Sequence, residues 1–209
     1  MSSFVKSETE MVVDALVTLS KCIAKRGGVV IDHLDAKALA AFDAEHREVI
    51  GKMKKSIQKE YVVSGHHVKF IDVRLSSIKN NRDVMNFLDV NRAAPKVVVM
   101  KEWTQKVVKM FLEYPNTEVF QLLELQVDVT EHMFQPYFEV VRDKEELKEA
   151  HDNIRIGSYP KMQQYDPIAR YFALQPSDVI RIRRPSILSG YNIMYREIAP
   201  QDIADVFGD

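Results

Sequence analysis

The chain has 209 residues, 46% hydrophobic and 28% charged, with 29 basic against 30 acidic residues and a formal net charge of -1. That balance excludes a domain whose main task is to hold bare nucleic acid by bulk positive charge. It fits one large or two modest globular domains. No apolar run approaches the roughly 18 residues needed to span a bilayer, and MSSFVKSETEMVVDALVTL intersperses charges among its apolar residues, unlike a signal peptide.

Residues 4–26 read as a helix, with Met11, Ala15, Leu16, Leu19, Cys22 and Ile23 recurring at three- and four-residue steps on one face. Lys25, Arg26 and Gly27-Gly28 supply its C-terminal signal. Cys22 is the only cysteine. Its place on the apolar face favours a buried structural thiol over a nucleophile, and a lone thiol fits a reducing, intracellular compartment. A second helix is expected from Ala36, capped by Asp35, with Leu39, Phe42, Val49 and Met53 on one side. The Lys52, Lys54, Lys55 and Lys59 group invites a nucleic-acid reading, but nearby acids favour a solvated face.

HHVKFIDVRL alternates like a strand, which would send the adjacent His66 and His67 to opposite faces, and neither has a partner at metal-ligand spacing. Asn81 to Val90 reads as a short helix and KVVVM, residues 96–100, as a buried strand. EWTQKVVKMFLEY reads as a helix carrying Trp103 into the core and stopped by Pro115. EVFQLLELQVDVT reads as a short helix that ends as a strand. Helices alternating with short β-rich runs predict a small α/β layer structure over residues 1–128.

The composition changes there. DKEELKEAHDNI is a short charged helix, and the rest is rich in turns and strands, predicting a compact α+β domain over residues 129–209. Asp166 and Pro167 open a helix as cap and first residue. DVIRIRR alternates, PSILSG turns and YNIMYREI returns. Arg181 and Arg183 then share one face with Val179, beside Tyr191 and Tyr195, while Ile180 and Ile182 share the other. An exposed face rich in Arg and Tyr suits a protein interface, and serves equally as solubilising charge. There is no P-loop, dinucleotide fingerprint, nucleophile elbow, H-E-x-x-H or D-x-D cluster. No catalytic, cofactor-binding or metal-ligating residue is therefore expected.

DPIARYF, VIRIRRPS and SGYNIMYR together resemble the assembly domain of the fifth subunit common to the eukaryotic nuclear RNA polymerases, a domain that makes up the whole of the archaeal counterpart. The family pattern runs D-P-V-A-R-Y-F-G-L, a short turn, V-V-K-I-I-R-P-S, a Gly hairpin and a Y-R strand. It is matched at Asp166, Pro167, Ala169, Arg170, Tyr171, Leu174, Val179, Ile182, Arg184, Pro185, Ser186, Gly190, Tyr195 and Arg196. Upstream, DVTEHMFQP is similar to the family's N-I-T-E-H-E-L-V-P at Thr130, Glu131, His132 and Pro136. KCIAKRGGVVIDHLDAKALAAF and KVVVMKEWTQKVVKMF resemble parts of the eukaryotic jaw domain. The chain departs from the pattern at Ala173, where the family has Gly, at Gln175-Pro176-Ser177 for K-R-G, and at Ile187 to Asn192 for E-T-A-G-R-Y. It also continues into an acidic tail, Ile198–Asp209.

The resemblance implies a non-catalytic subunit of a DNA-directed RNA polymerase. It implies a jaw domain (1–128) near downstream duplex DNA and an assembly domain (129–209) docked on the largest subunit, alongside other polymerase subunits. No cofactor, membrane or small-molecule substrate is implied. Arg170, Tyr171, Arg183, Arg184, Tyr195 and Arg196 are the expected interface or its supporting frame. The expected location is the nucleus, or host cytoplasm or virion for a viral protein. The competing readings are a free-standing nucleic-acid-binding adaptor, using the lysine group and the Arg-rich hairpin, and a hydrolase with a triad dispersed in sequence.

Overall fold

A computed structural model describes residues 6–27, 60–102, 104–143, 145–148 and 159–200. The helix expected from Ala36, the Lys52–Lys59 group, Trp103, most of the charged helix after Asp143 and the tail from residue 201 lie outside the described residues. The fold is mixed α/β, with two four-stranded sheets. The chain forms two compact units, Met1–Val127 and Asp128–Asp209.

In the first unit, α1 (Glu8–Arg26) begins with a reciprocal capping box: the Ser7 hydroxyl accepts from Glu10 N–H, and Ser7 N–H donates to the Glu10 carboxylate at 2.7 Å. Gly27 closes it by donating its N–H to the Ile23 carbonyl at 3.1 Å. Ala15, Leu16 and Leu19 pack into the core with Val68, Val97 and Val99 of the sheet. The Cys22 thiol is buried. Arg26 grips Glu118 through two parallel bonds of 2.7 and 2.8 Å, a bidentate geometry that orders both planar groups.

The sheet runs β1 (Glu60–Val63), β2 (His66–Ile71), β3 (Lys96–Met100), β4 (Thr117–Gln121) in spatial order. β1 and β2 form an antiparallel hairpin, and Ser64 and Gly65 both take positive φ, 47° and 81°, as a two-residue turn matched to strand twist requires. β2, β3 and β4 are parallel. Parallel neighbours need crossovers, supplied by α2 (Arg82–Val90), capped by the Asn81 side chain, and α3 (Gln105–Leu112). Every residue of β3 is buried, which is why KVVVM shows no alternation.

Three features differ from the sequence-based expectation. The strand expected over residues 66–75 ends at Ile71. β1 was not expected; its short run is recognisable only through the Ser-Gly turn behind it. The stretch from Glu118 is strand first, then 3-10 turns at Glu124–Gln126 and Val129–Glu131, the reverse of the expected order. The ladder to β3, from Lys96↔Thr117 to Met100↔Gln121, overrides the local helical spacing and buries Val119 and Phe120.

Two lysines are buried in this sheet. Lys69 donates to Glu60 at 2.6 Å, pairs with Asp83 at 2.9 Å and lies over the Phe87 ring. The Lys96 ammonium faces four backbone carbonyls, those of Asn91, Arg92, Ala94 and Pro115, at 2.9–3.2 Å. Burial pulls Lys96 below the usual lysine range, while the ring of carbonyl oxygens holds its proton. It ties the turn before β3 to the turn before β4.

In the second unit the spatial order is β5 (Tyr137–Val141), β7 (Val179–Ser186), β8 (Gly190–Ala199), β6 (Lys161–Gln163). β7 pairs antiparallel with β5 and β8, and β6 lies parallel to β8. A short helix, α4 (Pro167–Tyr171), is capped by the Asp166 carboxylate accepting Ile168 N–H at 2.9 Å. Ile168, Ala169 and Leu174 pack with Ile180, Ile182 and Ile198 to form the core.

Candidate functional site

The β7–β8 register sorts the candidate residues by face. One face carries the directly opposed pairs Arg181↔Tyr195, Arg183↔Ile193 and Pro185↔Tyr191, extended onto β5 by Arg181↔Glu139 and Arg183↔Tyr137. The other carries Ile180↔Arg196, Ile182↔Met194 and Arg184↔Asn192, and packs the core. Arg181 and Arg183 share a face with Val179, as the alternation predicts.

Their environments nevertheless differ. Arg181 bonds Glu146 at 2.7 Å and Glu139 at 2.5 Å, and Tyr195 donates its hydroxyl to Glu146 at 2.9 Å. The bond to Glu139 raises the Arg181 pKa, against burial, which lowers it. Burial raises the Tyr195 phenol above its ordinary value, and the Glu146 carboxylate adds to that shift. This cluster fastens residues 145–148 to the sheet, so Arg181 is an internal tie and not a displayed cation. Arg183 is exposed, its guanidinium stacked 4.4 Å from the Tyr137 ring centroid.

Arg184 is exposed beyond the core on the opposite face. Arg196 is half-buried, and its Nε has no hydrogen-bond partner among the described residues. Arg170 is half-buried in the last turn of α4. Tyr171 is buried, and its hydroxyl donates to Asp128 at 2.8 Å. The same carboxylate accepts from Thr130 N–H and Oγ1 at 2.9 and 2.6 Å. Tyr171 therefore belongs to the supporting frame: its ring fills the interior, and its one polar atom is already used. The six residues singled out from sequence divide between two faces and the frame. Asp128, Glu139 and Glu146 escaped sequence reading because their partners Tyr171, Arg181 and Tyr195 lie 35–49 residues away. Among the described residues no group of three His, Cys, Asp or Glu could hold a metal ion, and no helix is long and apolar enough to cross a membrane.

The family model described as RNA polymerase Rpb5, C-terminal domain, matches residues 127–198. The DNA-directed RNA polymerase subunit Rpo5 of Archaeoglobus fulgidus is 34% identical over 74 residues, 34% of this chain and 96% of that protein. The chain belongs to the RNA polymerase subunit 5 family. The DNA-directed RNA polymerase subunit 5 of Acanthamoeba polyphaga mimivirus is 33% identical over 132 residues, 63% of this chain and 64% of that protein. The Caenorhabditis elegans DNA-directed RNA polymerases I, II, and III subunit RPABC1 is 42% identical over 81 residues, 38% of each chain. The chain thus spans less than two thirds of either longer relative.

Family membership clarifies the backbone. Ala173 and Ser177, at the two positions where the family pattern writes glycine, have φ of 52° and 77°. Gly190, which keeps the family glycine, has φ of 75°. Ala173 follows α4 in a Schellman motif: its N–H bonds the Arg170 carbonyl, and Leu174 N–H reaches the Ala169 carbonyl at 2.9 Å. Ser177 follows Pro176 in a turn closed by Asp178 N–H on the Gln175 carbonyl at 3.0 Å, the position of a type II turn that demands positive φ. This subunit 5 chain keeps the family's turns without two of their glycines.

Proposed function

We propose that the chain is a non-catalytic subunit of a multisubunit DNA-directed RNA polymerase. Its second unit is the assembly module, docking on the largest subunit through Arg183, Arg184, Arg196 and Arg170 over a frame that includes Tyr171 and Tyr195. Its first unit is part of the jaw near downstream DNA. The observation that carries the reading is that the family match, residues 127–198, falls on one compact unit, Asp128–Asp209, whose motif residues build its caps, turns and hairpin. The jaw assignment draws support from the mimivirus relative, whose 132 aligned residues exceed the second unit and so extend into the first. The proposed location is the nucleus, with host cytoplasm or virion the corresponding place for a viral chain.

The test is purification of the tagged full chain from its native cells, with partners identified by mass. Two very large polymerase subunits at equal stoichiometry are expected. Arg170→Glu and Arg183→Glu should release the chain without unfolding it. Recovery of the chain alone, or with DNA that washes off in salt, would overturn the proposal in favour of a free-standing adaptor.

A further inference from the structure

The β7–β8 ribbon outruns its neighbours. β5 ends opposite Arg183, at Tyr137, and β6 reaches β8 only at Glu197–Ala199. From Arg184 to Asn192 the ribbon has no strand on either side of the pair among the described residues. At its tip Ile187 and Leu188 are 105% and 99% exposed, and Tyr191 and Ile193 are exposed behind them. Here the chain carries Ile187 and Leu188 where the family pattern has E-T, and Tyr191 where it has R. No residue from Ile180 to Arg196 is acidic. Arg181 finds Glu139 and Glu146, but Arg183 and Arg184, both exposed, have no carboxylate partner among the described residues. A fully exposed aliphatic pair, rimmed by two cations, marks a contact surface.

We propose that the ribbon tip is an anchor: Ile187 and Leu188 enter an apolar socket on a protein of the polymerase, and carboxylates on the socket rim pair with Arg183 and Arg184. This rests on the reading of the chain as a polymerase subunit. The combination of groups selects the class of partner. Nucleic-acid phosphates would satisfy the arginines and leave both aliphatic side chains in water. A second copy offers only Glu197 on its own ribbon, and that carboxylate is paired with Lys161 at 2.6 Å. Tyr191 and Ile193 then pack at the socket mouth, where aromatic and aliphatic surface excludes water from the ion pairs.

The test uses full-length chains with distinguishable tags, wild type and an Ile187→Ser/Leu188→Ser variant, co-expressed in the native cells. Polymerase is isolated through its largest subunit, and the ratio of the two chains is read by quantitative mass spectrometry. The tip variant should be under-represented by about tenfold or more, since burial of one large aliphatic side chain is worth roughly that factor in affinity. Arg183→Glu/Arg184→Glu should fall similarly, with the paired Lys substitutions recovering most of the loss. Val62→Ser, an exposed aliphatic of the first unit, should compete equally. A photo-crosslinking residue at position 188, in an otherwise wild-type chain, should capture a polymerase protein and so reads the contact independently of variant folding. Equal incorporation of the tip variant overturns this proposal alone, as does crosslinking to DNA or to a second copy. Polymerase that lacks even the wild-type chain overturns the functional reading and this proposal with it.

Discussion

Replacing Ala173 with glycine should stabilise the second unit. Its φ of 52° puts a Cβ where left-handed backbone crowds it against the carbonyl, at a cost of about 1–2 kcal/mol for a residue other than glycine. The conformation is imposed from both sides. The N–H of Ala173 closes onto the Arg170 carbonyl, the N–H of Leu174 onto that of Ala169, and the Leu174 side chain is locked in the core beside Ile168. Glycine relieves the crowding but gives back roughly 0.5–1 kcal/mol through the greater freedom of the unfolded chain. The net gain is about 0.5–1 kcal/mol. Hydrogen exchange of the Ile180 and Ile182 amides, read in the full chain, isolates the second unit from the first. Exchange should slow by roughly two- to fivefold. Ser189→Gly, in the hairpin turn but without positive φ, should not slow it. If Ala173→Gly leaves exchange unchanged or faster, the left-handed position is not a source of strain and the argument fails.

Other substitutions probe the buried polar groups. Tyr171→Phe leaves the buried Asp128 carboxylate one donor short and should cost about 1–3 kcal/mol. A double-mutant cycle with Asp128→Asn should show coupling, and strict additivity would contradict the assigned bond. Lys96→Met strips four carbonyls of their donor and should destabilise the first unit by roughly 2–4 kcal/mol in urea unfolding; a loss under about 1 kcal/mol would show that water replaces the ammonium. The Tyr195 phenol has a raised pKa in the folded chain. The folded state therefore holds its proton more tightly, and this contribution is complete below the unfolded value near 10 and lost as pH rises through the folded value. Urea midpoints between about pH 8 and pH 11 should fall more steeply for wild type than for Tyr195→Phe; parallel curves would refute the role of burial there.

Where local chemistry decided the outcome, the sequence was readable. Asp166-Pro167 announces α4, Gly27 ends α1, and the alternation on either side of PSILSG is the β7–β8 hairpin, because cap, turn and period-two signals are all carried within a few residues. Where a distant partner decided it, the sequence was not readable. Glu118 to Gln121 has helical spacing but becomes strand because β3 offers a parallel edge. Tyr171 stands beside Arg170 in the motif, and nothing local shows that its hydroxyl is taken by a carboxylate 43 positions earlier. β1 went unseen because four residues beside a Ser-Gly turn carry too little periodicity to stand out.

The same contrast explains how one strand serves two ends. The residues of β7 from Val179 to Arg183 are all covered on one side by β5, whose sequence places Glu139 opposite Arg181 and Tyr137 opposite Arg183. A guanidinium beside a carboxylate is neutralised and half-buried; a guanidinium beside an aromatic ring is held in orientation but keeps its charge. One register therefore makes Arg181 a structural tie and leaves Arg183 a directed cation. Beyond Arg183 the strand outlasts β5, and no described strand remains on that side of it. A change in charge at Arg181 should thus disturb the unit itself, by leaving Glu139 and Glu146 facing each other without their cation. The same change at Arg183 alters only what the surface can bind. Alternation alone makes these two arginines equivalent, and the position at which β5 begins makes them different.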